Sequence, residues 1–127
     1  MNQKDWIFSE RTRRLIHDAL EEDVGSGDYS SLWSVPPEQC SSAKIIARAG
    51  GVLAGIPVAR YLLDLIDPPP VLISMLEDGA NVAAGQVIAQ LEGQSQALLK
   101  VERTLLNFIQ RLSGVATRTA AFVEAVR

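Results

Sequence analysis

The stretch Gln94–Thr119, QSQALLKVERTLLNFIQRLSGVATRT, decides the architecture. At about 100° per residue, Leu98, Val101, Leu105, Phe108, Ile109 and Leu112 fall within an arc of roughly 100°. That is one apolar stripe, wide enough to pack on a sheet. Leu99 and Leu106 lie on a second face, beside Arg103 and Gln110. A helix that is apolar on two faces buries both. One face belongs to the domain's own core and the other is expected to meet a second subunit or another domain. Gly114 and the flanking hydroxyls of Ser113 and Thr117 weaken the helix, so residues 95–127 are expected as a long helix with a kink near Ser113–Gly114.

Outward from that helix, the chain has the substance for one core: 127 residues, 47% hydrophobic, mean hydropathy +0.11. Net charge is −3 and the basic cluster Arg11, Arg13, Arg14 is small, which argues against nucleic-acid binding. The single cysteine, Cys40, excludes an internal disulfide and a cysteine-based metal site, and fits a reducing compartment. The polar start MNQKDWIFSE carries no apolar signal segment, and no apolar run reaches membrane-spanning length. A cytoplasmic domain with no membrane partner is the expectation.

Residues 1–9 show no clear period; Trp6, Ile7 and Phe8 are read either as anchors of an N-terminal arm on a neighbour or, in preference, as an ordinary N-terminal segment packed on its own domain. Ser9 caps a helix over Arg11–Glu22 with Leu15, Ile16, Ala19 and Leu20 on its apolar side. Glu21-Glu22-Asp23 reads as a solvated helix end. Gly25–Ser31, GSGDYSS, reads as a structural turn. Strands are expected over Ser42–Ala49, Val52–Ala54, Val71–Leu76 and Val82–Leu91, the last broken at AAGQ. A helix opens at Ile56-Pro57 and stops at the proline run Pro68-Pro69-Pro70. Short strands with glycine turns, framed by helices, indicate an α+β fold: a mostly antiparallel four-stranded sheet packed by helices, with a long C-terminal helix.

Few residues carry chemistry. His17 is the one histidine and reads as a surface residue; metal ligands are too few for a site. Arg103 stands out. Its guanidinium stays charged and offers a fork that matches a carboxylate in two parallel hydrogen bonds. Spacing alone leaves two readings, a ligand-binding arginine or an intrahelical pair with Glu102, its badly aligned neighbour. Lys100, Arg111 and Arg118 read as surface or interface charges.

The run Glu102–Thr119, ERTLLNFIQRLSGVATRT, resembles the quinolinate phosphoribosyltransferases, which show E-R-x-x-L-N-x-x-x-x-x-S-G-[IV]-A-T-x-T. Glu102, Arg103, Leu106, Asn107, Ser113, Gly114, Val115, Ala116, Thr117 and Thr119 fill that pattern. EEDVGSGDYSS resembles the same family's E-D-x-G-x-G-D-x-T-T signature through Glu22, Asp23, Gly25, Gly27 and Asp28, with Ser30-Ser31 in place of the threonines. The stretch ARAGGVLAG matches the family's hairpin-like segment.

The resemblance implies that residues 1–127 are the N-terminal domain of a pentosyltransferase, with the family's C-terminal α/β barrel absent from this chain. The whole enzyme joins quinolinate to 5-phosphoribosyl 1-pyrophosphate with decarboxylation, giving nicotinate mononucleotide for NAD biosynthesis. It implies a homodimer, or a hexamer of dimers, in which Arg103 binds substrate in the neighbouring subunit's site. It places no catalytic residue and no cofactor on this chain, which alone is expected to be inactive, and puts Mg2+ in the full-length enzyme. Two alternatives remain: a non-catalytic dimerisation or binding module, and a pyrophosphorylase-like relative of molybdenum transport loci. DGANVAAGQVIAQLEG also resembles the turn of biotinyl and lipoyl carrier domains. Those need a lysine at a hairpin tip, and none lies between Lys44 and Lys100.

Overall fold

The computed structural model describes residues 9–25 and 34–126. The arm residues Trp6, Ile7 and Phe8, and Gly27, Asp28 and Ser30-Ser31 of the glycine-rich segment, lie outside the described residues. Three helices are described: α1 (Glu10–Gly25), α2 (Ile56–Asp64) and α3 (Ser95–Ala125). Five strands join them: β1 (Cys40–Ile46), β2 (Gly51–Val52), β3 (Val71–Met75), β4 (Asn81–Val82) and β5 (Val87–Gln94). The α+β architecture with antiparallel pairing is as the sequence leads one to expect. The strands, however, divide between a three-stranded sheet of order β1-β5-β3 and a two-stranded ladder β2-β4, where one four-stranded sheet was expected.

Each element has a local cause. Ser9 caps α1: its hydroxyl accepts the Thr12 N–H at 3.1 Å. Pro57 sits in the first turn of α2, where no N–H is needed. Gly55, just before it, has φ +105° and no side chain to cap with. Asp78 does so instead, accepting the N–H of Ile56, 22 residues before it in the chain, at 2.8 Å. The break foreseen at AAGQ is a turn in which Gly85 has φ +86° and Gln86 Oε1 accepts the Ala83 N–H at 3.0 Å. It separates β4 from β5. β5 is central, pairing with β1 from Cys40↔Gln94 to Ile46↔Val87 and with β3 from Val71↔Glu92 to Met75↔Ala89.

The core lies between the sheet and the helices. It is built from Ile16 of α1, Leu53, Ile56, Ala59 and Leu62 around α2, Ala89 and Leu91 of β5, and Val101, Leu105 and Ile109 of α3. Among the described residues no helix is long and apolar enough to cross a membrane.

α3 is helical without interruption through Ser113 and Gly114. The hydroxyls of Ser113 and Thr117 tie it to the segment 52–54. Ser113 Oγ accepts the Ala54 N–H at 2.9 Å and donates to the Ala54 carbonyl at 3.0 Å. Thr117 Oγ1 accepts the Val52 N–H at 2.9 Å and donates to the Ser113 carbonyl at 2.7 Å. The backbone approaches closely because position 51 is glycine: a Cβ there would lie 2.6 Å from Thr117 Oγ1. Ser113→Ala leaves a half-buried Ala54 N–H without this acceptor, a loss of about 1–3 kcal/mol. The expected result is a lower urea midpoint with an unchanged m-value. An unchanged midpoint would show that the clamp contributes nothing.

Candidate functional site

The candidate site is the outward face of α3. The helix begins where β5 ends. Ser95 donates its N–H to the Gln39 carbonyl at 2.9 Å, and its hydroxyl bonds that of Ser41. This anchors the first turn to the start of β1. From there the 3.6-residue period sets which side chains face inward. Leu98, Val101, Leu105 and Ile109 are buried and Phe108 is half-buried, as the stripe predicts. Leu112 is 37% exposed, its Cδ1 against Gly55.

The opposite face stays open. Leu99 is 44% exposed and Leu106 38%, with Arg103 and Gln110 exposed between and beyond them. Arg103 forms no hydrogen bond or ion pair with any described residue, Glu102 included. The intrahelical alternative therefore has no geometry behind it. Beside this face a groove of about 380 Å³ runs between β1 and α3, lined on the helix side by Leu98, Leu99, Glu102 and Leu106. Lys44 stands on its sheet side. The arrangement is a cationic fork set between two partly exposed leucines, suited to a carboxylate brought up by another surface.

Position 104 shows what sequence reading missed. Thr104 is 1% exposed and donates its hydroxyl proton to Asp23 Oδ2 at 2.7 Å. Asp23 is therefore not a solvated helix end: it is half-buried and fastens α1 to α3. Glu21 and Glu22 are exposed, as expected of such an end. A polar residue at 104, on the flank of the apolar stripe, was the available signal. His17 is exposed, with Nε2 3.0 Å from the Tyr61 hydroxyl, and takes no part in the α3 face. Cys40 is exposed and its thiol points to the Glu38 carbonyl. Among the described residues no three His, Cys, Asp or Glu side chains converge as metal ligands.

The comparisons with known proteins agree with the motif reading. The family model described as quinolinate phosphoribosyl transferase, N-terminal domain, matches residues 26–113. A probable nicotinate-nucleotide pyrophosphorylase [carboxylating] of Bacillus subtilis is 41% identical over 115 residues, which is 91% of this chain and 38% of that protein. The nicotinate-nucleotide pyrophosphorylase [carboxylating] of Mycobacterium leprae is 38% identical over 119 residues, 91% of this chain and 42% of that protein. Among solved structures, NadC from Streptococcus pyogenes superposes with a TM-score of 0.83 at 34% identity, covering 91% of this chain and 41% of that one. The nicotinate-nucleotide pyrophosphorylase of Francisella tularensis gives 0.80 at 32% identity, covering 88% and 39%. The chain thus spans about two-fifths of the length of the relatives it matches.

Proposed function

Because the chain belongs to the quinolinate phosphoribosyltransferase N-terminal domain family, we propose that it is the N-terminal domain of an enzyme of NAD biosynthesis. That enzyme transfers phosphoribosyl from 5-phosphoribosyl 1-pyrophosphate to quinolinate with loss of carbon dioxide. Its products are nicotinate mononucleotide and pyrophosphate. This domain's part is to present Arg103 to the active site of a partner subunit in a dimer.

The observation that supports this reading is the state of Arg103: a permanent cation on an exposed helix face, with no counter-charge from any described residue. Quinolinate is a dicarboxylate, and its negative charge must be met when water is removed around it. A guanidinium meets a carboxylate with two parallel N–H···O bonds and stays protonated throughout. Leu99 and Leu106 would pack against the opposing surface and exclude water, which strengthens the charge–charge contact. α3 is pinned at 95, 104, 113 and 117 to the rest of the domain. The fork is thus carried on a rigid element, as substrate positioning requires.

The test replaces the matched N-terminal segment of the Bacillus subtilis relative with this chain. The grafted enzyme is expected to form nicotinate mononucleotide with a dependence on quinolinate, while the 127-residue chain alone gives no turnover. A grafted protein that folds and assembles but neither binds quinolinate nor turns over would overturn the reading in favour of a non-catalytic assembly module.

A further inference from the structure

Along α3 the cations are segregated. At 100° per residue, Lys100, Arg103, Arg111 and Arg118 lie within an arc of about 80°. All four are exposed, and none forms an ion pair with a described residue. Neutral residues fill the gaps between them, among them Asn107 between Arg103 and Arg111 and Gly114 between Arg111 and Arg118. The helix's two carboxylates, Glu102 and Glu124, fall about 60° or more outside the arc. No acid stands three or four residues from any of the four cations, the spacing at which a helix normally neutralises its own charge. Lys100 and Arg103 are themselves three apart, a like-charge placement that costs the isolated helix about 0.2–0.5 kcal/mol. All this occurs in a chain whose net charge is −3.

From this segregation we propose that the α3 face is an approach track for the phosphate-bearing substrate. Arg111 and Arg118 draw the polyanion along the helix toward the site that Arg103 completes. The inference rests on the function proposed above and adds two steering residues that lie outside that site. Arg103 and Arg111 are about 12 Å apart along the axis, and Arg111 and Arg118 about 10 Å. Those spacings match the Debye length near 0.1 M salt, about 10 Å. Below that salt concentration the separate fields merge into one continuous potential over the 27 Å or so from Lys100 to Arg118. Above it they separate. Gly114 keeps the ridge low between Arg111 and Arg118: a Cβ at 114 would meet only Arg118 within 4 Å, at 3.8 Å. A field of this kind raises encounter rates and leaves the chemical step alone.

Two measurements test it. In the first, inorganic pyrophosphate is titrated into the full 127-residue chain while the arginine Nε–H signals are followed by NMR. Arg103, Arg111 and Arg118 are expected to shift together, and more than Arg48 and Arg60, with the shifts collapsing between about 10 mM and 300 mM salt. Equal shifts at Arg48 would overturn the track. The second uses the grafted enzyme carrying Arg111→Gln and Arg118→Gln. Its kcat/KM for 5-phosphoribosyl 1-pyrophosphate is expected to fall at low salt by about fivefold or more, with kcat unchanged and the difference gone at high salt. A salt-independent loss, or a loss in kcat, would count against steering. An inactive graft sinks the functional reading alone, because the pyrophosphate titration still decides the track.

Discussion

Arg103→Ala in the grafted enzyme is expected to lower kcat/KM for quinolinate by roughly 30- to 5,000-fold, the equivalent of about 2–5 kcal/mol for truncating one partner of a buried, hydrogen-bonded charge pair. Much of that loss is the cost of leaving a substrate carboxylate desolvated and unmet. Arg103→Lys should recover only part of it, because an ammonium keeps the charge and loses the fork. In the chain on its own, the same Arg103→Ala change should leave the urea midpoint within experimental scatter. The side chain is exposed and holds no described residue, so its loss removes no internal contact. The combination is diagnostic: a large kinetic effect with no effect on folding places Arg103 in a site shared with another surface. Activity within threefold of the parent would remove Arg103 from that site.

Gly55→Ala is expected to destabilise the fold by about 2–4 kcal/mol. Two costs add. At φ +105° an alanine is strained, on the order of 1–3 kcal/mol. Its Cβ would also lie 3.1 Å from Leu112 Cδ1, which must give by a few tenths of an ångström, and at the edge of ordinary contact, 3.4 Å, from the Ile109 Cα. Gly85→Ala supplies the control, since φ there is +86° but nothing lies within 4 Å of the added carbon. It should cost about 1–2 kcal/mol, the strain alone. Urea denaturation of both variants separates the terms. Equal losses would mean that the close approach of α3 to the Gly51–Gly55 segment contributes nothing. A larger loss at 55 would show that this contact also fixes where α3, and so Arg103, stands relative to the core.

The candidate site was legible because it is written inside one helix. The 3.6-residue period of Leu98, Val101, Leu105 and Ile109 fixes the inner face, so Arg103 is outward by arithmetic. Ser9 at the start of α1 and Pro57 in the first turn of α2 were equally plain, because a cap or a proline acts within one turn of itself. The motif Glu102–Thr119 named the family for the same reason: its information lies in consecutive residues.

Nothing local announces a partner that lies far along the chain. Thr104 and Asp23 are 81 residues apart, Ser113 and Ala54 59, and Ile56 and Asp78 22. At Ser113 and Thr117 the local rule predicts a weakened helix, because a free hydroxyl competes for backbone bonds. In the structure the helix is unbroken there, and those hydroxyls bond the backbone of Val52 and Ala54, groups that only tertiary packing brings within reach. The division of five strands into two ladders was likewise decided by β5, which has antiparallel partners on both edges and so draws β1 and β3 to it. Sequence by itself therefore determined the class, the long helix and which way Arg103 faces, since periodicity is a property of neighbours. Only the tertiary structure decided how that helix is held, since hydrogen bonds between distant residues exist only once the core has brought them together.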